Sequence, residues 1–525
     1  MPFIDFAANS ASESNKYDAI VIGCGAAGIF LATQLSKQNK SVAVVETGGF
    51  REEDRYQALN SIEQSSKRQS DPLWNRKRVI GGTTTAWGGQ SLPFHEIDFS
   101  FRPWIPAEWP LTHRDLEKHY IKANRFMNVD GMNYDTDVMA RTGIRDPGFS
   151  KDLIYFHFSK WAPQPNFIKL KRQDLSTHCD IYFNAHCIGL NWQSRGVVDG
   201  VQIASTDGKK GLLQGKAVFL AAGGIETVRF LLLSQLKSRL RHLAPLQHLG
   251  VGFMDHPCMT VGRVHACSRE DIFRLHQKFA TRRCGRDRYT ARMSASPTWQ
   301  TNAEMANISA GFVFMPDPSR DWIDCIRKLS RNPSAASLTS ALRQLPRIVE
   351  GLWILARHGL IYRRWASPRL AVMCEQPAST SSYITLASET DSFGQQRARL
   401  NWTVDPLVAE TIRSFSQIVC RELERLNICK VELLPEVSAT NEELLQSTTD
   451  VNHHMGGARM SRHPSTGVVD QWLRVWGSDN LFVCSAAVFP SSSHSNPTLT
   501  LLALVSRLID RLKCIDDFAT LNDNL

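Results

Sequence analysis

Two adjacent histidines late in the chain, His453 and His454, have side chains that could do acid–base chemistry. A neutral imidazole has an ordinary pKa of about 6.5, so it is the natural acceptor for a hydroxyl proton at neutral pH. Taken alone, neighbouring histidines are more often incidental than catalytic. They run into Gly456 and Gly457, which predicts a loop. The pair is a candidate for a general base whose partners must come from elsewhere in the sequence.

A glycine-rich turn near the N-terminus predicts a dinucleotide site. Residues 23–28 read G-C-G-A-A-G. Gly23 permits a tight turn, Gly25 lets the backbone approach a pyrophosphate, and Gly28 lets a helix pack closely on a strand. The N-terminus of that helix stabilises the anion. Glu46 ends the next predicted strand and can accept hydrogen bonds from ribose hydroxyls, which fits FAD or NAD and disfavours the 2′-phosphate of NADP.

The elements that must hold these residues follow from the apolar patterns. Residues 17–22 and 41–46 predict strands and residues 26–37 predict the helix between them, which makes one β-α-β unit. The remaining predictions are a strand at 216–222 that runs into an apolar helix at 226–234, a helix at 113–127, strands within 181–203 and a last helix at 499–512.

Two further glycine-rich segments could lie against a cofactor. The loop at 81–89 has four glycines and almost no charge, so it could lie flat against a planar ring and donate backbone N–H groups to it. Ala222 and Gly223 end the strand at 216–222, where the backbone could pass close to a cofactor. Each segment also has a plainer interpretation, as a structural turn for the loop and as a packing turn for the strand end.

Taken together and in order, these segments resemble the glucose–methanol–choline (GMC) family of flavin oxidoreductases. The resemblance extends from residue 17 to residue 512 and is patchy between 270 and 370. It implies an FAD-dependent enzyme that oxidises an alcohol CH–OH group to a carbonyl. The motifs that carry it are R-V-I-G-G-T-T-T-A-W-G-G at 78–89, W-P-L at 109–111, L-A-A-G-G-I-E at 220–226, G-F-M-D-H-P at 252–257, H-H-M-G at 453–456 and N-P-T-L-T at 496–500.

The resemblance also implies which residues are catalytic. The family's base lies three residues before a glycine and seven before a methionine. His453 satisfies both spacings, with Gly456 and Met460, whereas His454 satisfies neither. Asn496 matches the second active-site position, where an amide can hydrogen-bond a hydroxyl group but cannot accept its proton at pH 7. His453 is therefore the predicted base and Asn496 the predicted positioning group, with hydride passing to the flavin.

The cofactor-binding residues come from the glycine turn and from the resemblance. The family's counterpart of the loop at 81–89 borders the flavin ring, and the region of Cys187 aligns with a strand whose backbone meets the adenine. Pro497 and Thr498 open a helix whose N-terminus could stabilise negative charge on the flavin. The predicted cofactor-binding residues are Gly23, Gly25, Ala27, Gly28, Glu46, Gly81, Gly82, Thr83, Trp87, Gly88, Cys187, Ala222, Gly223, Ala486, Pro497 and Thr498.

Two departures from the family pattern concern the cofactor. Some members attach FAD covalently through a histidine in the flavin-side loop, and the aligned residue here is Ala86, which has no nucleophilic atom. We therefore predict non-covalent FAD. The family's late strand often carries Asp-Gly or Gly-Ser beside the flavin, but residues 484–487 read C-S-A-A, which retains small side chains only.

Composition excludes several other classes of protein. The chain of 525 residues is 42% hydrophobic and 21% charged, which is typical of globular enzymes and not of disordered or fibrous chains. Its 12 cysteines are scattered without a C-x-x-C pair. That spacing argues against a zinc ribbon, a dithiol centre or a disulfide scaffold, so we predict no metal site and a reducing compartment.

Since neither a secretory signal nor a membrane-spanning stretch is evident, we expect a cytoplasmic protein, with peripheral contact at the inner face of the membrane as an alternative.

The segment 270–370 is rich in basic residues. The net charge of +10 allows an anionic partner, but the basic residues have little aromatic interleaving, so we expect no nucleic acid partner. The segment is interpreted as a substrate-domain cap with a solvated basic face, as a peripheral attachment site for anionic lipid, or as a recognition element for an anionic substrate such as a nucleotide- or lipid-linked sugar. Residues 343–364 predict an amphipathic helix whose apolar side has Leu345, Ile348, Val349, Leu352, Trp353, Leu355 and Leu360, with Ile354 and Ile361 breaking the pattern.

The predicted fold class is α/β with an α+β substrate domain, in which a Rossmann-like FAD-binding domain of ββα type is interleaved with an antiparallel sheet. By analogy with the family, residues 1–95, 180–265 and 445–525 form the FAD-binding domain, and residues 96–179 and 266–444 form the substrate domain. The predicted small-molecule substrate is a sugar, a polyol or a sugar-containing metabolite, and alicyclic and aliphatic alcohols stay open. Oxygen, a quinone and a cytochrome stay open as electron acceptors.

The alternatives to an alcohol-oxidising enzyme are a flavin monooxygenase that uses NAD(P)H and oxygen, a non-catalytic FAD-bound protein, and a plain NAD-dependent dehydrogenase, which the extra glycine loops disfavour.

Overall fold

The structure is a computed structural model of the chain. It describes residues 3–8, 16–65, 70–175, 179–194, 196–237, 247–265, 268–317, 319–331 and 333–513. Parts of the N-terminal segment in which no signal is predicted, and residues 514–525 of the predicted FAD-binding domain, lie outside the described residues.

The described strands and helices alternate along most of the chain. The strands are β1 (Phe3–Asp5), β2 (Lys16–Ile22), β3 (Val42–Val45), β4 (Glu63–Gln64), β5 (Gln90–Ser91), β6 (Ile154–Trp161), β7 (Cys179–Phe183), β8 (His186–Ser194), β9 (Val197–Ala204), β10 (Lys210–Leu220), β11 (Cys258–His265), β12 (Arg282–Cys284), β13 (Asp287–Ala295), β14 (Ile308–Met315), β15 (Ser367–Cys374), β16 (Tyr383–Thr390), β17 (Gln396–Asn401), β18 (Lys430–Leu433) and β19 (Leu481–Val483). The α-helices are α1 (Ala26–Ser36), α2 (Asp54–Gln57), α3 (Pro72–Asn75), α4 (Glu96–Phe99), α5 (Glu117–Phe126), α6 (Thr136–Thr142), α7 (Phe167–Lys171), α8 (Gly224–Lys237), α9 (Arg269–Phe279), α10 (Pro297–Ala303), α11 (Trp322–Arg331), α12 (Ala335–Arg343), α13 (Leu345–His358), α14 (Pro406–Arg425), α15 (Pro435–Ser438), α16 (Asn441–Gln446) and α17 (Pro497–Lys513).

The first sheet holds the predicted β-α-β unit. Its strand order is β1-β7-β3-β2-β10-β9-β8, and β19 also pairs with β10. Strands β3, β2, β10 and β19 are parallel, and their apolar residues are buried, as expected for strands covered on both faces. Helix α1 begins directly after the glycine turn and connects β2 to β3. The observed bounds of these three elements differ from the predicted ones by one residue at most ends.

The second sheet is antiparallel and is built from the long insertions between strands of the first sheet. Its order is β18-β11-β15-β14-β13-β6-β5, with β12 paired to β13. Helix α14 packs against β14 and β15. A small third sheet, β16-β17-β4, contacts helix α8 of the first domain. This arrangement confirms the predicted fold class, a Rossmann-like domain interleaved with an antiparallel sheet.

The predicted domain boundaries stay a prediction, and two strands and one helix make contacts across them. Strand β5 falls within 1–95 and strand β11 within 180–265, yet both pair in the second sheet. Helix α5, within 96–179, packs against α17 of the C-terminal part. Boundaries taken from analogy divide the sequence into blocks, whereas a strand joins whichever sheet edge satisfies its backbone hydrogen bonds.

The predicted helix at 343–364 is shorter in the structure. Helix α13 ends at His358 because Gly359 adopts the left-handed conformation, with φ of 62°. The predicted apolar side is largely exposed, whereas Ile354, which breaks the predicted pattern, is buried. We call the exposed side chains of α12 and α13 the apolar ridge: Leu338, Leu342, Leu345, Val349, Leu352 and Trp353, each 47% to 62% exposed. In the described part of the chain, every helix is too short or too polar to cross a bilayer.

Candidate active site

A cavity of about 700 Å³ opens where the first sheet, the loop at 81–89 and the start of α17 meet. It lies at the carboxyl ends of β2 and β10, where open α/β sheets bind their ligands. The structure brings together on its wall all the predicted site residues except Gly28 and Gly81: His453, Asn496, Gly23, Gly25, Ala27, Glu46, Gly82, Thr83, Trp87, Gly88, Cys187, Ala222, Gly223, Ala486, Pro497 and Thr498. Their individual roles stay predictions.

The two exceptions support the cavity from behind. A side chain at Gly28 would overlap the carbonyl oxygen of Gly23, so this glycine lets α1 approach β2. Gly81 has a φ of 102°, a conformation that favours glycine, and its N–H donates to the carbonyl of Cys24 at 3.0 Å. Gly28 and Gly81 therefore fix the shape of the turns and do not face the cavity.

Glu46 is held in place by the glycine turn. Its carboxylate accepts the N–H of Cys24 (3.0 Å) and the N–H of Gly48 (3.0 Å). Burial raises the pKa of Glu46, and these two backbone donors oppose that rise. A carboxylate has about four acceptor positions, so the side chain retains capacity for ribose hydroxyls at the end of β3.

The cavity fits a dinucleotide because its wall is backbone packed closely on backbone. A side chain at Gly23 would lie 2.5 Å from the carbonyl oxygen of Ala221, and one at Gly82 would lie 2.8 Å from Cα of Gly25. Glycine is required where three chain segments approach one another and a ligand at once. This donor set, with a helix N-terminus and a carboxylate, is suited to a pyrophosphate and a ribose. FAD fits these residues.

A group of charged side chains at the cavity was not identified from the sequence. Arg76 and Arg78 line the cavity and both pair with Glu226, at 3.2 and 2.7 Å. Arg229 pairs with Asp391 at 2.5 Å and with Glu226 at 3.2 Å. Although burial opposes it, these arginines hold the pKa of Glu226 well below its usual range. Arg76 lies 150 positions from Glu226, and Arg229 lies 162 positions from Asp391, so no spacing signal could have predicted the whole group, although Arg78 opens one of the quoted motifs.

The predicted catalytic pair meets at one end of the cavity. Asn496 Nδ2 donates to Nε2 of His453 at 3.2 Å. On the other side of the ring, Nδ1 of His453 lies 2.8 Å from Nδ1 of His256. His256 Nε2 lies 3.1 Å from the carbonyl oxygen of Ser492, which can only accept, so Nε2 of His256 carries the hydrogen.

This contact defines the tautomer of His453. Burial lowers the pKa of His256 to about 4 and holds that of His453 well below its ordinary value, so both rings are neutral at pH 7. With its hydrogen on Nε2, His256 presents a lone pair at Nδ1. His453 must then donate from Nδ1, which leaves its Nε2 lone pair directed toward Asn496 and the cavity. The arrangement can accept a proton from a hydroxyl group placed beside the amide.

Asp255 fixes the backbone of this pair. Its Oδ1 accepts the N–H of His256 (2.7 Å) and the N–H of His453 (2.9 Å). Burial, with the nearby charge of Asp450, raises the pKa of Asp255 to about 7. His256 and Asp255 lie in the quoted motif at 252–257, but the sequence does not reveal that they contact residue 453.

Two further histidines near the catalytic pair, His454 and His494, occupy different places. His454 Nε2 lies 3.9 Å from Asp255 Oδ2, and burial, with the charge of Arg76, lowers the pKa of His454 to about 3. Its ring lines the cavity, and among the described residues it makes no hydrogen bond to Asn496. His494 is buried beside His157, with ring centres 6.0 Å apart.

Comparison with known proteins relates this geometry to a family. The family model of the GMC oxidoreductases matches residues 377–504. The large subunit of fructose dehydrogenase from Gluconobacter japonicus is 21% identical over 582 aligned positions, which cover 96% of this chain and 98% of that protein. A cholesterol oxidase from Acinetobacter baumannii is 25% identical over 177 positions, which cover 31% of this chain and 28% of that protein.

Solved structures share the architecture at low sequence identity. Formate oxidase from Aspergillus oryzae RIB40 superposes with a TM-score of 0.54 at 17% identity, covering 96% of this chain and 99% of that chain. Pyridoxine 4-oxidase from Mesorbium loti superposes with a TM-score of 0.55 at 15% identity, covering 95% of this chain and 99% of that chain. The family model that matches residues 377–504 and the relative that spans nearly the whole chain agree with the motifs and indicate the GMC oxidoreductase family, and the solved structures share the fold.

Proposed function

We propose that the chain oxidises the hydroxyl group of a small-molecule alcohol to a carbonyl, with non-covalently bound FAD and with His453 as the base. The observation that carries the proposal is the orientation of His453. Its Nε2 lone pair faces the cavity beside Asn496, and a contact with His256 fixes that tautomer. A general base needs this geometry before its pKa matters.

The chain's own residues act on the proton and on the position of the substrate. The substrate hydroxyl replaces the Asn496 amide as the donor to Nε2 of His453, and the amide then donates to the hydroxyl oxygen and orients it. Burial keeps the imidazole neutral until the proton arrives, and the backbone N–H of His453 stays bonded to Asp255. When bound, FAD supplies the acceptor for the hydride that leaves the carbinol carbon.

Non-covalent attachment is proposed from the loop at 81–89. Ala86 lines the cavity but has no atom that could bond to the flavin. Trp87 Nε1 donates to the carbonyl of Pro165 at 2.8 Å, which holds the indole at the cavity wall. The loop can therefore support a ring by shape and by backbone contacts alone.

A sugar or a polyol is the substrate class that we propose. Likeness to the large subunit of fructose dehydrogenase along nearly the whole chain supports a hydroxylated metabolite of this kind. Gln90 and Trp161 also line the cavity and add a polar and an aromatic surface, which suits a carbohydrate.

An anaerobic stopped-flow assay tests the proposal. Purified, FAD-loaded protein is mixed with sugars, polyols and simple alcohols, and separately with NADH and NADPH, while the visible absorbance of the flavin is recorded. We expect one alcohol class to reduce the flavin and His453→Ala to slow that reduction by about 10² to 10⁴-fold with FAD retained. Rapid reduction by NADPH alone, with no response to any alcohol, would contradict the proposal in favour of a monooxygenase-type enzyme.

A further inference from the structure

The second sheet carries a cation that the proposed mechanism does not use. Arg292 lies on β13, directly opposite His157 of β6. Ser294 lies two residues further along β13 and pairs with Ser309 of β14. The Oγ of Ser294 lies 2.6 Å from Nε2 of His157. Because alternate residues of a strand point to one face, these four side chains share a face of the sheet.

That face lies beside the catalytic segment. The His157 ring is 6.0 Å from His494, which precedes Asn496 by two residues. Burial lowers the pKa of His494 to about 3, and the charge of Arg292 adds to the effect. The guanidinium is thus an electrostatic neighbour of the segment that carries the predicted positioning group.

Arg292 has no partner to neutralise it. Among the described residues, no hydrogen bond, ion pair or ring contact joins its guanidinium to another group. The side chain is partly exposed, and burial lowers the pKa of its guanidinium, so protein surrounds part of the group while solvent reaches the rest. An unpaired cation surrounded by protein is unfavourable unless water or an anion solvates it.

The strand next to Arg292 is shaped to receive its side chain. A side chain at Gly311 of β14 would lie 2.6 Å from Nη1 of Arg292 and 3.5 Å from Cδ. Glycine weakens the middle of a strand and marks a close approach. The guanidinium therefore lies across the backbone of Gly311, and the Oγ of Ser309 on the same face is buried without a hydrogen-bond partner among the described residues.

Arg292 is the charged group that this face of the sheet presents at neutral pH. Burial lowers the pKa of His157 well below its ordinary value and that of His256 to about 4, so neither ring carries charge. The carboxyl of Asp255 is occupied by backbone N–H groups. The Arg292 guanidinium is therefore available to bind an anion from solution.

We propose that Arg292 binds an anionic group of the alcohol substrate, a carboxylate or a phosphate, with Ser309 as a second donor. The inference rests on the proposed function and narrows its substrate class to sugar acids and phosphorylated sugars or polyols. A guanidinium pairs with both oxygens of such a group and so fixes the orientation of the attached hydroxyl.

Anion binding is measured first, independently of turnover. Inorganic phosphate and acetate are titrated calorimetrically into FAD-loaded wild type, Arg292→Met, Gly311→Ala and Arg283→Met. Arg283 is an exposed arginine on the neighbouring strand β12 and serves as the charge control. We expect Arg292→Met to weaken binding about 10- to 100-fold and Gly311→Ala to weaken it while the charge is retained. Arg283→Met should bind as the wild type does.

Flavin reduction by matched alcohols is measured second. Glucose, gluconate and glucose 6-phosphate share a skeleton, and the two anions separate a carboxylate from a phosphate as the recognised group. We expect kcat/KM for one anion to exceed that for glucose, and Arg292→Met to remove this preference with little change for glucose.

The outcomes separate the two proposals. Equal anion binding by wild type and Arg292→Met overturns the anion site and leaves alcohol oxidation standing. The same holds if Arg292→Met leaves the ratio of kcat/KM for the anion to kcat/KM for glucose unchanged. Arg292-dependent anion binding with no flavin reduction by any alcohol supports the anion site and contradicts the proposed function.

A separate observation concerns the exposed surface of helices α12 and α13. The apolar ridge consists of exposed side chains that follow one side of α12 and continue on α13. Arg343 and Arg357, both exposed, flank it, and among the described residues neither pairs with a carboxylate. The acid of the same helix, Glu350, is taken by Arg364 at 3.2 Å. An exposed apolar surface of this extent marks an interaction site.

We infer that the apolar ridge docks on an anionic lipid surface, which would place the protein at the inner face of the membrane. Unpaired arginines beside exposed leucines complement negative headgroups, and Trp353, 62% exposed, suits the interface between headgroups and acyl chains. Helix α13 has 14 residues, about 21 Å in length, so it lies along the surface and does not span it.

Vesicle flotation tests this docking. FAD-loaded protein is mixed with phosphatidylcholine vesicles and with vesicles that contain a third phosphatidylglycerol. We expect flotation with the anionic vesicles, a loss of at least about tenfold in a Val349→Glu/Trp353→Glu variant, and wild-type behaviour for Phe101→Glu, an exposed aromatic elsewhere. Background flotation of the wild type overturns the inference, as does a dimer that the double variant disrupts, because a second copy would then cover the ridge.

Discussion

Replacement of His256 should show whether the tautomer of His453 governs the rate. His256→Leu removes the acceptor that lies 2.8 Å from Nδ1 of His453 and leaves that N–H buried without a partner. An unsatisfied buried donor costs about 1 to 3 kcal/mol. His453 avoids this cost by moving its hydrogen to Nε2, which faces the substrate.

The magnitude follows from the population of the competent tautomer. A bias of about 1 to 3 kcal/mol against it lowers its population by about 5- to 150-fold, and the rate of flavin reduction falls by the same factor. His256→Asn offers an oxygen near the position of the lost Nδ1, so it should recover much of the rate. Substrate affinity should change little in either variant because neither touches the substrate.

The assay is the limiting rate of anaerobic flavin reduction, measured across pH, with flavin content and thermal unfolding as controls for folding. Equal loss in His256→Leu and His256→Asn would refute the reasoning, since only the asparagine can accept from His453. An unchanged rate in both variants would refute it as well, because the tautomer would then be set by something other than His256.

Three further predictions concern the cofactor and stability. Gly28→Ala should weaken FAD binding about tenfold or more in a fluorescence titration, since overlap with the carbonyl of Gly23 costs about 1 to 3 kcal/mol, whereas Gly131→Ala, which meets nothing within 4 Å, should bind normally. Acid precipitation should release all flavin into the supernatant because Ala86 cannot bond to it, and yellow colour in the precipitate would contradict this. The pKa of Asp255 is about 7 when folded, above the value of the unfolded chain, so the contribution of this carboxyl to stability should fall as pH rises from about 4 to about 7. Asp255→Asn should remove that contribution, so the difference in melting temperature between variant and wild type should change over this range, and parallel pH profiles would count against it.

Local patterns predicted the first β-α-β unit because each of its signals is short-range. A turn of three glycines, an apolar run and an acid all lie within the first 46 residues. The motifs also predicted which residues share the cavity wall, since the family resemblance covers them in order. What they could not predict is contact between distant segments.

The contact of His256 with His453 joins residues 197 positions apart, and no spacing signal reports it. Arg292 appeared in the sequence as one member of a basic stretch, and only the pairing of β13 with β6 and β14 places it beside His157 and Gly311. The apolar side of α13 was predicted from its periodicity, but periodicity does not show which side of a helix faces the protein.

The pairing of β19 with β10 has a consequence for biosynthesis. Val218 pairs with Leu481, and α17 completes the same cavity from Pro497 onward. A ribosome has therefore made nearly the whole chain before the first sheet can close, and until then the end of β10 that pairs with β19 lacks this neighbour. Contacts of such long range form slowly, and the exposed strands are open to aggregation in the interval. Cells that make this protein should depend on chaperones early and on flavin supply late, so that a shortage of FAD should appear as insoluble chain before it appears as inactive enzyme.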